Sequence, residues 1–170
     1  VLAPHPDDEV FGCGGAITGH VQAGHSVHVV LLTAGGHGEE GAAKGYADTR
    51  LSESTDAARV LGLPPPQCWG LQDREVTYGE ALVHRIIQAI GDTGADVVYA
   101  PSPWELHPDH RATALCAIEA VRRLEGVGLH LYEVSAPLRP NRLLDITPVW
   151  ALKQQAMQVF ASQEKKLPYA

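Results

Sequence analysis

Cysteine and long apolar runs are scarce in this 170-residue chain. The three cysteines, Cys13, Cys68 and Cys116, form no Cys-x-x-Cys pair, so they predict neither a disulfide framework nor a zinc knuckle. The longest apolar run, Val27 to Leu32, is far shorter than the roughly 20 residues that cross a bilayer. We therefore expect a cytoplasmic protein with no membrane span.

Basic residues are also few, because 13 lysines and arginines stand against 20 aspartates and glutamates, a net charge of −7. That sign disfavours binding to nucleic acid or to an anionic membrane surface. Apolar residues at 45% and charged residues at 19% are ordinary for a globular protein. The length predicts one domain, residues 1–170. Because an unusual motif follows Val1 almost at once, we expect that further strand residues precede it.

Short apolar runs alternate with helical periods along the chain. The runs lie at Val1–Ala3, Val27–Thr33, Cys68–Leu71, Val97–Ala100, Leu129–Val134 and Leu143–Ile146. The clearest helical periods comprise Val83, Ile86, Ile87 and Ile90, then Ala114, Ala117, Ile118 and Val121, and a last helix is predicted from about Val149 to Phe160. This alternation predicts an α/β fold with a mostly parallel sheet flanked by helices on both faces.

Two clusters of histidines and carboxylates follow predicted strands. Residues 4–9 read Pro-His-Pro-Asp-Asp-Glu, and residues 104–110 read Trp-Glu-Leu-His-Pro-Asp-His. In an open α/β sheet, ligands bind beyond the carboxyl ends of the strands, so both segments are expected at one crevice. Capping explains either cluster alone, since acidic residues and proline are favoured in the first turn of a helix. Two such clusters at one sheet edge favour a shared site.

A divalent metal suits this combination of side chains. A catalytic zinc typically takes three protein ligands and keeps one position open, and His5, Asp8 and His110 can supply the three. Asp7 is then free to act as a general base for a hydrolytic reaction. An N₂O ligand set also accepts Fe(II) or other divalent ions.

The second cluster predicts a division of roles between its histidines. His107 and His110 flank Pro108 and Asp109 in an opening helical turn, so we expect their rings to point in different directions. His110 is assigned to the metal, and His107 to the developing oxyanion or the leaving nitrogen. Asp109 is expected to hold an imidazole in the tautomer that its role requires.

Three segments together resemble the motifs of the LmbE/PIG-L family of zinc-dependent N-acetylglucosaminyl deacetylases. They are residues 4–9, the run Gly12-Cys13-Gly14-Gly15, and His-Pro-Asp-His at 107–110. The likeness extends to Arg50-Leu51-Ser52-Glu53, Ala57-Ala58, Leu61-Gly62, Asp73, Lys153, Ala156 and Ser162-Gln163.

The resemblance implies a Rossmann-like fold and the removal of acetyl from an amino-sugar conjugate, a small-molecule partner. It also implies that His5, Asp8 and His110 bind zinc, with Asp7 as the base. The aglycone and the oligomeric state are not predicted, and a homo-oligomer stays open.

Three further residues are candidates for substrate binding. Arg50 is expected to begin a helix, where it either pairs with Glu53 or, as the resemblance suggests, faces the substrate. Asp73 is either a turn residue or a contact in the pocket, and Trp104 either forms a pocket wall or packs. In the loop from Gly35 to Gly45, His37, Glu39 and Glu40 either line the pocket or are solvated.

Other function classes fit less well. A dinucleotide-binding fingerprint requires a third small residue at position 17, where Ile17 stands, and the acidic run would repel a pyrophosphate. A metal-dependent phosphoesterase would hold two ions about 3.5–4 Å apart, and the assigned residues supply ligands for one. A non-catalytic sugar-binding module would not need a base, three ligands and an oxyanion partner together.

Overall fold

Five strands alternate with helices in the computed structural model, which describes residues 1–37 and 45–164. The strands are β1 (Leu2–Ala3), β2 (Val30–Thr33), β3 (Gln67–Leu71), β4 (Val97–Pro101) and β5 (Gly128–Tyr132). The helices are α1 (Asp8–Gln22), α2 (Tyr46–Val60), α3 (Glu80–Thr93), α4 (Pro108–Arg122), α5 (Trp150–Gln158) and α6 (Ala161–Glu164), with a 3₁₀ turn at Thr147–Val149.

All strand pairings are parallel. β2 pairs with β1 and β3, while β4 pairs with β5. β1 also lies beside β4, so the strands follow the spatial order β3-β2-β1-β4-β5. The three-stranded and two-stranded sheets adjoin at β1 and β4, and the strands are wound outward in both directions from that boundary, which places a ligand crevice beyond the carboxyl ends of those two strands. The predicted α/β class is confirmed.

Helices cover both faces of the sheet. On one face, α3 and α4 bury an apolar stripe that includes Val83, Ile86 and Ala117. On the other face, α1, α2 and α5 enclose a second cluster around Ile17 and Phe160. Each large apolar side chain buried in this way contributes roughly 1.5–3 kcal/mol. The two layers of helix fix the sheet edge that carries the motifs.

The glycine run of α1 permits a close approach between elements. A Cβ atom at Gly12 would overlap the ring of Tyr132, and one at Gly15 would overlap the side chain of Ile146. These glycines therefore serve packing against β5 and the segment before α5.

Two predicted elements differ from the structure. The predicted strand Leu143–Ile146 is wrong, because this segment has no strand conformation and Leu143 is 90% exposed. The last helix begins with the 3₁₀ turn, and α5 ends at Gln158 rather than at Phe160. Within the described ranges, none of the helices is both long and apolar enough to cross a bilayer.

Candidate metal centre

The two histidine-containing segments meet where β1 and β4 end. His5 follows β1 by two residues, and Pro6 restricts the turn into α1. His110 lies in the first turn of α4, which starts at Pro108. His5 and His110 are both buried. The sheet edge therefore brings together side chains that are 105 positions apart in the chain.

Three donor atoms from these segments converge. His5 Nδ1 lies 3.2 Å from Asp8 Oδ2, His110 Nε2 lies 3.1 Å from the same oxygen, and the two nitrogens are 3.3 Å apart. A tetrahedral ion with bonds of about 2.0–2.2 Å spaces its ligand atoms roughly 3.3–3.6 Å apart. The three observed spacings, 3.1–3.3 Å, lie at or just below that range, so a small outward shift of the ligand atoms would admit one divalent cation.

Two more carboxylates orient His5 from its other side. His5 Nε2 lies 3.2 Å from Asp109 Oδ2 and 3.3 Å from Asp73 Oδ1, which favours a proton on Nε2 and makes Nδ1 the nitrogen that faces the triangle. Burial lowers the pKa of His5, but the bonds to Asp109, Asp73 and Asp8 outweigh burial and raise it well above its ordinary value. The imidazole that Asp109 contacts is therefore that of His5, and its expected part in fixing a tautomer stays a prediction.

Asp8 stays ionised in this surrounding. Burial raises its pKa, but the imidazoles of His110 and His5 offset burial and hold the pKa well below the usual range for aspartate. Its Oδ2 also accepts a bond from the backbone N–H of His5 at 2.9 Å. Capping of α1 does not account for this side chain, because it is directed at the histidines.

Asp7 occupies a strained turn beside the triangle. Its φ of 120° is rarely adopted by residues other than glycine, and it makes no side-chain cap bond to α1. Burial raises the pKa of Asp7 to about 8; the charge of Asp8 adds to this rise, and Arg50 opposes it. Strain at a partly buried, perturbed carboxyl is typical of a functional position.

Arg50 binds Asp7 rather than Glu53, and its expected contact with the substrate stays a prediction. α2 begins at Tyr46 rather than at Arg50, which places the guanidinium against the turn that holds Asp7. Arg50 Nη2 donates to Asp7 Oδ2 at 2.9 Å, and Nη1 donates to the carbonyl oxygen of Gly35 at 3.1 Å. Glu53, the predicted ion-pair partner, accepts bonds from the backbone N–H and hydroxyl of Ser162 instead.

Two buried glutamates of the motifs support the site, although sequence reasoning gave them no role. Glu9 accepts bonds from the backbone N–H of Asp7 at 3.0 Å and from the hydroxyl of Ser54 at 2.5 Å. Glu105 accepts bonds from the backbone N–H and hydroxyl of Ser135, and its Oε2 lies 3.5 Å from His110 Nδ1. Their position beside the histidine motifs was the available signal, but their partners lie far away in sequence.

His107 points into the same site as His110, so the predicted divergence of the two rings is wrong. The centroid of the His107 ring lies 4.6 Å from the centroid of the His5 ring and 5.3 Å from that of the His110 ring. The reason is that His107 precedes α4 in an extended conformation, so helical geometry does not fix its direction. Its Nδ1 accepts the backbone N–H of Asp109 at 3.2 Å. Burial, with His5 and His110, lowers the pKa of His107.

A cavity of about 290 Å³ opens over these residues. Among the predicted site residues, those that line it are His5, Asp7, Arg50, Asp73 and His107. His37 lines it too, whereas Glu39 and Glu40 lie outside the described residues. Trp104 is not part of this lining, and it is 74% exposed.

A larger cavity of about 520 Å³ lies at the opposite edge of the sheet, against residues 27–30 and 96–99. It contains neither histidine motif. The smaller cavity is therefore the one associated with the candidate chemistry.

Known proteins share this arrangement of elements. The family described as PIG-L, GlcNAc-PI de-N-acetylase, matches residues 1–121. A diacetylchitobiose deacetylase of Thermococcus kodakarensis is 31% identical, over 95% of this chain and 68% of its own length. A solved N,N'-diacetylchitobiose deacetylase of Pyrococcus horikoshii is 31% identical with a TM-score of 0.85, again over 95% of this chain and 68% of that one.

A relative with a different named activity also matches. The 4-oxalmesaconate hydratase of Pseudomonas putida is 28% identical, over 99% of this chain and 75% of its own length.

Proposed function

Since this chain belongs to the PIG-L family of GlcNAc-PI de-N-acetylases, we propose that it is a metal-dependent amide hydrolase that removes acetyl from an N-acetylglucosamine-type amino sugar or conjugate. The single observation that carries this proposal is the triangle of His5 Nδ1, Asp8 Oδ2 and His110 Nε2 beside Asp7. The name of the Thermococcus relative, a deacetylase, supports the same reaction class.

His5, Asp8 and His110 would hold the ion, and zinc is our choice, with Fe(II) as the alternative. When bound, such an ion supplies Lewis-acid polarisation and lowers the pKa of water in its reach. Asp73 and Asp109 position His5, so their part is to fix the ligand rather than to react. Glu105 Oε2 lies 3.5 Å from His110 Nδ1, and we assign Glu105 to positioning His110 in the same way.

Asp7 would accept the proton of the attacking water. Arg50 occupies its Oδ2, which leaves Oδ1 for that proton. A base works best when its pKa is near the operating pH, and burial moves the pKa of Asp7 in that direction. Arg50 is therefore assigned to orienting the base.

His107 would stabilise the developing oxyanion or protonate the leaving nitrogen. Because its Nδ1 accepts a backbone bond, the neutral ring carries its proton on Nε2. That N–H is the donor available to the substrate in the cavity, which His107 lines. Asp73 also lines the cavity, and we assign it a contact with the sugar in addition to its contact with His5.

The decisive test is acetate release from a panel of N-acetylglucosamine glycosides, measured with chelated protein before and after zinc is restored. Asp7→Asn should retain zinc and lose turnover by roughly 10²- to 10⁴-fold. Asp8→Ala should lose both zinc and turnover, and His107→Ala should lose turnover with zinc intact. Asp56→Asn, at an exposed pair with Arg59, is the matched control and should change neither.

If Asp7→Asn released acetate at the wild-type rate, Asp7 would not be the general base. Two ions per chain would favour the phosphoesterase alternative. If zinc-loaded protein released no acetate from any glycoside, the proposal would fail, and hydration, the activity named for the Pseudomonas putida relative, would become the next reaction to assay.

A further inference from the structure

A second strained residue lies at the rim of the candidate site. Among the described residues other than glycine, positive φ angles occur at Asp7 and Arg74, and the φ of Arg74 is 67°. A left-handed conformation costs roughly 1–2 kcal/mol for a residue with a Cβ atom, and glycine adopts it without that cost. Strain that persists at a site calls for a functional reason.

The backbone of Arg74 does not require an arginine. Its N–H donates to Asp109 Oδ2 at 2.7 Å, the oxygen that also contacts His5 Nε2. A glycine would keep this bond and release the strain. The explanation therefore lies with the side chain.

That side chain brings an available cation to the cavity. Arg74 is exposed and lines the cavity of about 290 Å³ together with Arg50 and His107. The guanidinium of Arg50 is occupied by Asp7 and by the carbonyl oxygens of Pro6 and Gly35. Within residues 1–37 and 45–164, the Arg74 guanidinium has neither a hydrogen bond nor an ion pair.

The acidic groups of the lining are already paired. Asp7 binds Arg50, and Asp73 contacts His5 and accepts the backbone N–H of His37 at 3.0 Å. Among the described residues of the lining, Arg74 is thus the cation with capacity for a ligand. Its planar fork matches a carboxylate or a phosphate through two parallel bonds.

We propose that Arg74 determines substrate specificity by binding an anionic group, carboxylate or phosphate, on the part of the substrate remote from the acetamide. The inference rests on the proposed deacetylase function and names the substrate class, an acidic amino-sugar conjugate. It also explains why a molecule with a net charge of −7 places an unpaired arginine beside its candidate reaction centre, since the overall field would otherwise repel such a substrate.

Three probes separate the sources of the charge: the methyl glycoside of N-acetylglucosamine, its carboxymethyl glycoside, and N-acetylglucosamine 1-phosphate. Affinity by calorimetry and acetate release are both measured with zinc-loaded protein. Arg74→Gly should weaken binding of the preferred anionic probe roughly tenfold, mainly through KM, and change the neutral probe by less than about twofold. Arg74→Lys should fall between wild type and Arg74→Gly, because it keeps the charge but not the fork.

The controls distinguish this inference from a structural role. Arg74→Gly should unfold at the same temperature as wild type or higher, and Arg59→Gln, an exposed arginine on α2, should leave all three affinities unchanged. Equal loss on the three probes, or no preference of the wild type for either anion, would overturn the role of Arg74. Affinity is measured separately from turnover. Absence of acetate release from every probe would count against the proposed function. The dependence of anion binding on Arg74 would still test the present inference.

Discussion

At the scale of single residues, the site is a set of carboxyl groups whose pKa values are moved in opposite directions. Asp8 is held ionised by two imidazoles, whereas Asp7 and Glu9 are pushed toward their neutral forms. Burial acts on all three, so the difference comes from which partners each carboxyl meets. Separation of this kind is how adjacent acids acquire different roles.

Glu9 makes a pH-dependent contribution to stability that can be measured. Burial raises its pKa from 4.5 to about 7; the bonds from Ser54 and Asp7 oppose that rise, and the charge of Asp8 adds to it. A raised pKa in the folded state gives stability that is fully present below pH 4.5 and is lost as the pH rises through 7. Glu9→Gln removes this loss and keeps both partners, so it should match wild type near pH 4 and exceed it by about 3 kcal/mol at pH 8.

Urea unfolding of both proteins across that pH range, with zinc removed by a chelator, provides the check. Glu9→Ala is the control, because it leaves the N–H of Asp7 and the hydroxyl of Ser54 without their acceptor, and it should be less stable at every pH. A difference between Glu9→Gln and wild type that did not grow with pH would contradict the assignment.

At the scale of elements, the strand ends of β1 and β4 are what the sequence identifies best. The hydrophobic periodicity predicted the sheet and the helices, because these depend on local pattern. The position of the motifs at strand ends predicted that His5 and His110 lie close together, because parallel strands end at one edge. The predicted strand at Leu143–Ile146 failed because an apolar run needs a neighbouring strand, and pairing is not a local property. The bond between Arg50 and Asp7 was missed for the same reason, since it joins residues 43 positions apart.

The contact between α2 and the segment that follows β2 depends on Gly35. Its φ is 65°, and a Cβ atom there would overlap Arg50 Nη1. Gly35→Ala should therefore lower the free energy of unfolding by about 1–3 kcal/mol and reduce turnover as well, because Arg50 is displaced from Asp7. Gly19→Ala is the matched control; Gly19 lies inside α1 with nothing within 4 Å of a Cβ atom, and this variant should gain roughly 0.5–1 kcal/mol. A Gly35→Ala protein with wild-type stability and turnover would show that the guanidinium is not confined there.

At the scale of the whole molecule, the proposed ligands join the two halves of the sheet. The turn after β1 supplies His5, the start of α1 supplies Asp8, and α4 supplies His110. An ion that binds the folded form alone stabilises it by mass action, about 2.7 kcal/mol at a free concentration of 100 times Kd. The centre is therefore expected to act as a cross-link as well as a reaction site.

Thermal unfolding with and without zinc measures that cross-link. Wild type and Asp56→Asn should unfold at higher temperature when zinc is added, whereas Asp8→Ala should show little increase because one corner of the triangle is lost. An equal increase in Asp8→Ala would mean that zinc binds elsewhere on the protein.

The distance in sequence between His5 and His110 also sets when the centre can first exist. The pair spans 105 positions, and at about 5–20 residues per second a ribosome needs roughly 5–20 s to cover that interval. Throughout that interval, the turn that carries His5 has no imidazole from α4 beside it. Ion capture is therefore confined to the period after α4 has been synthesised, and a nascent chain stalled earlier has only part of its chelator.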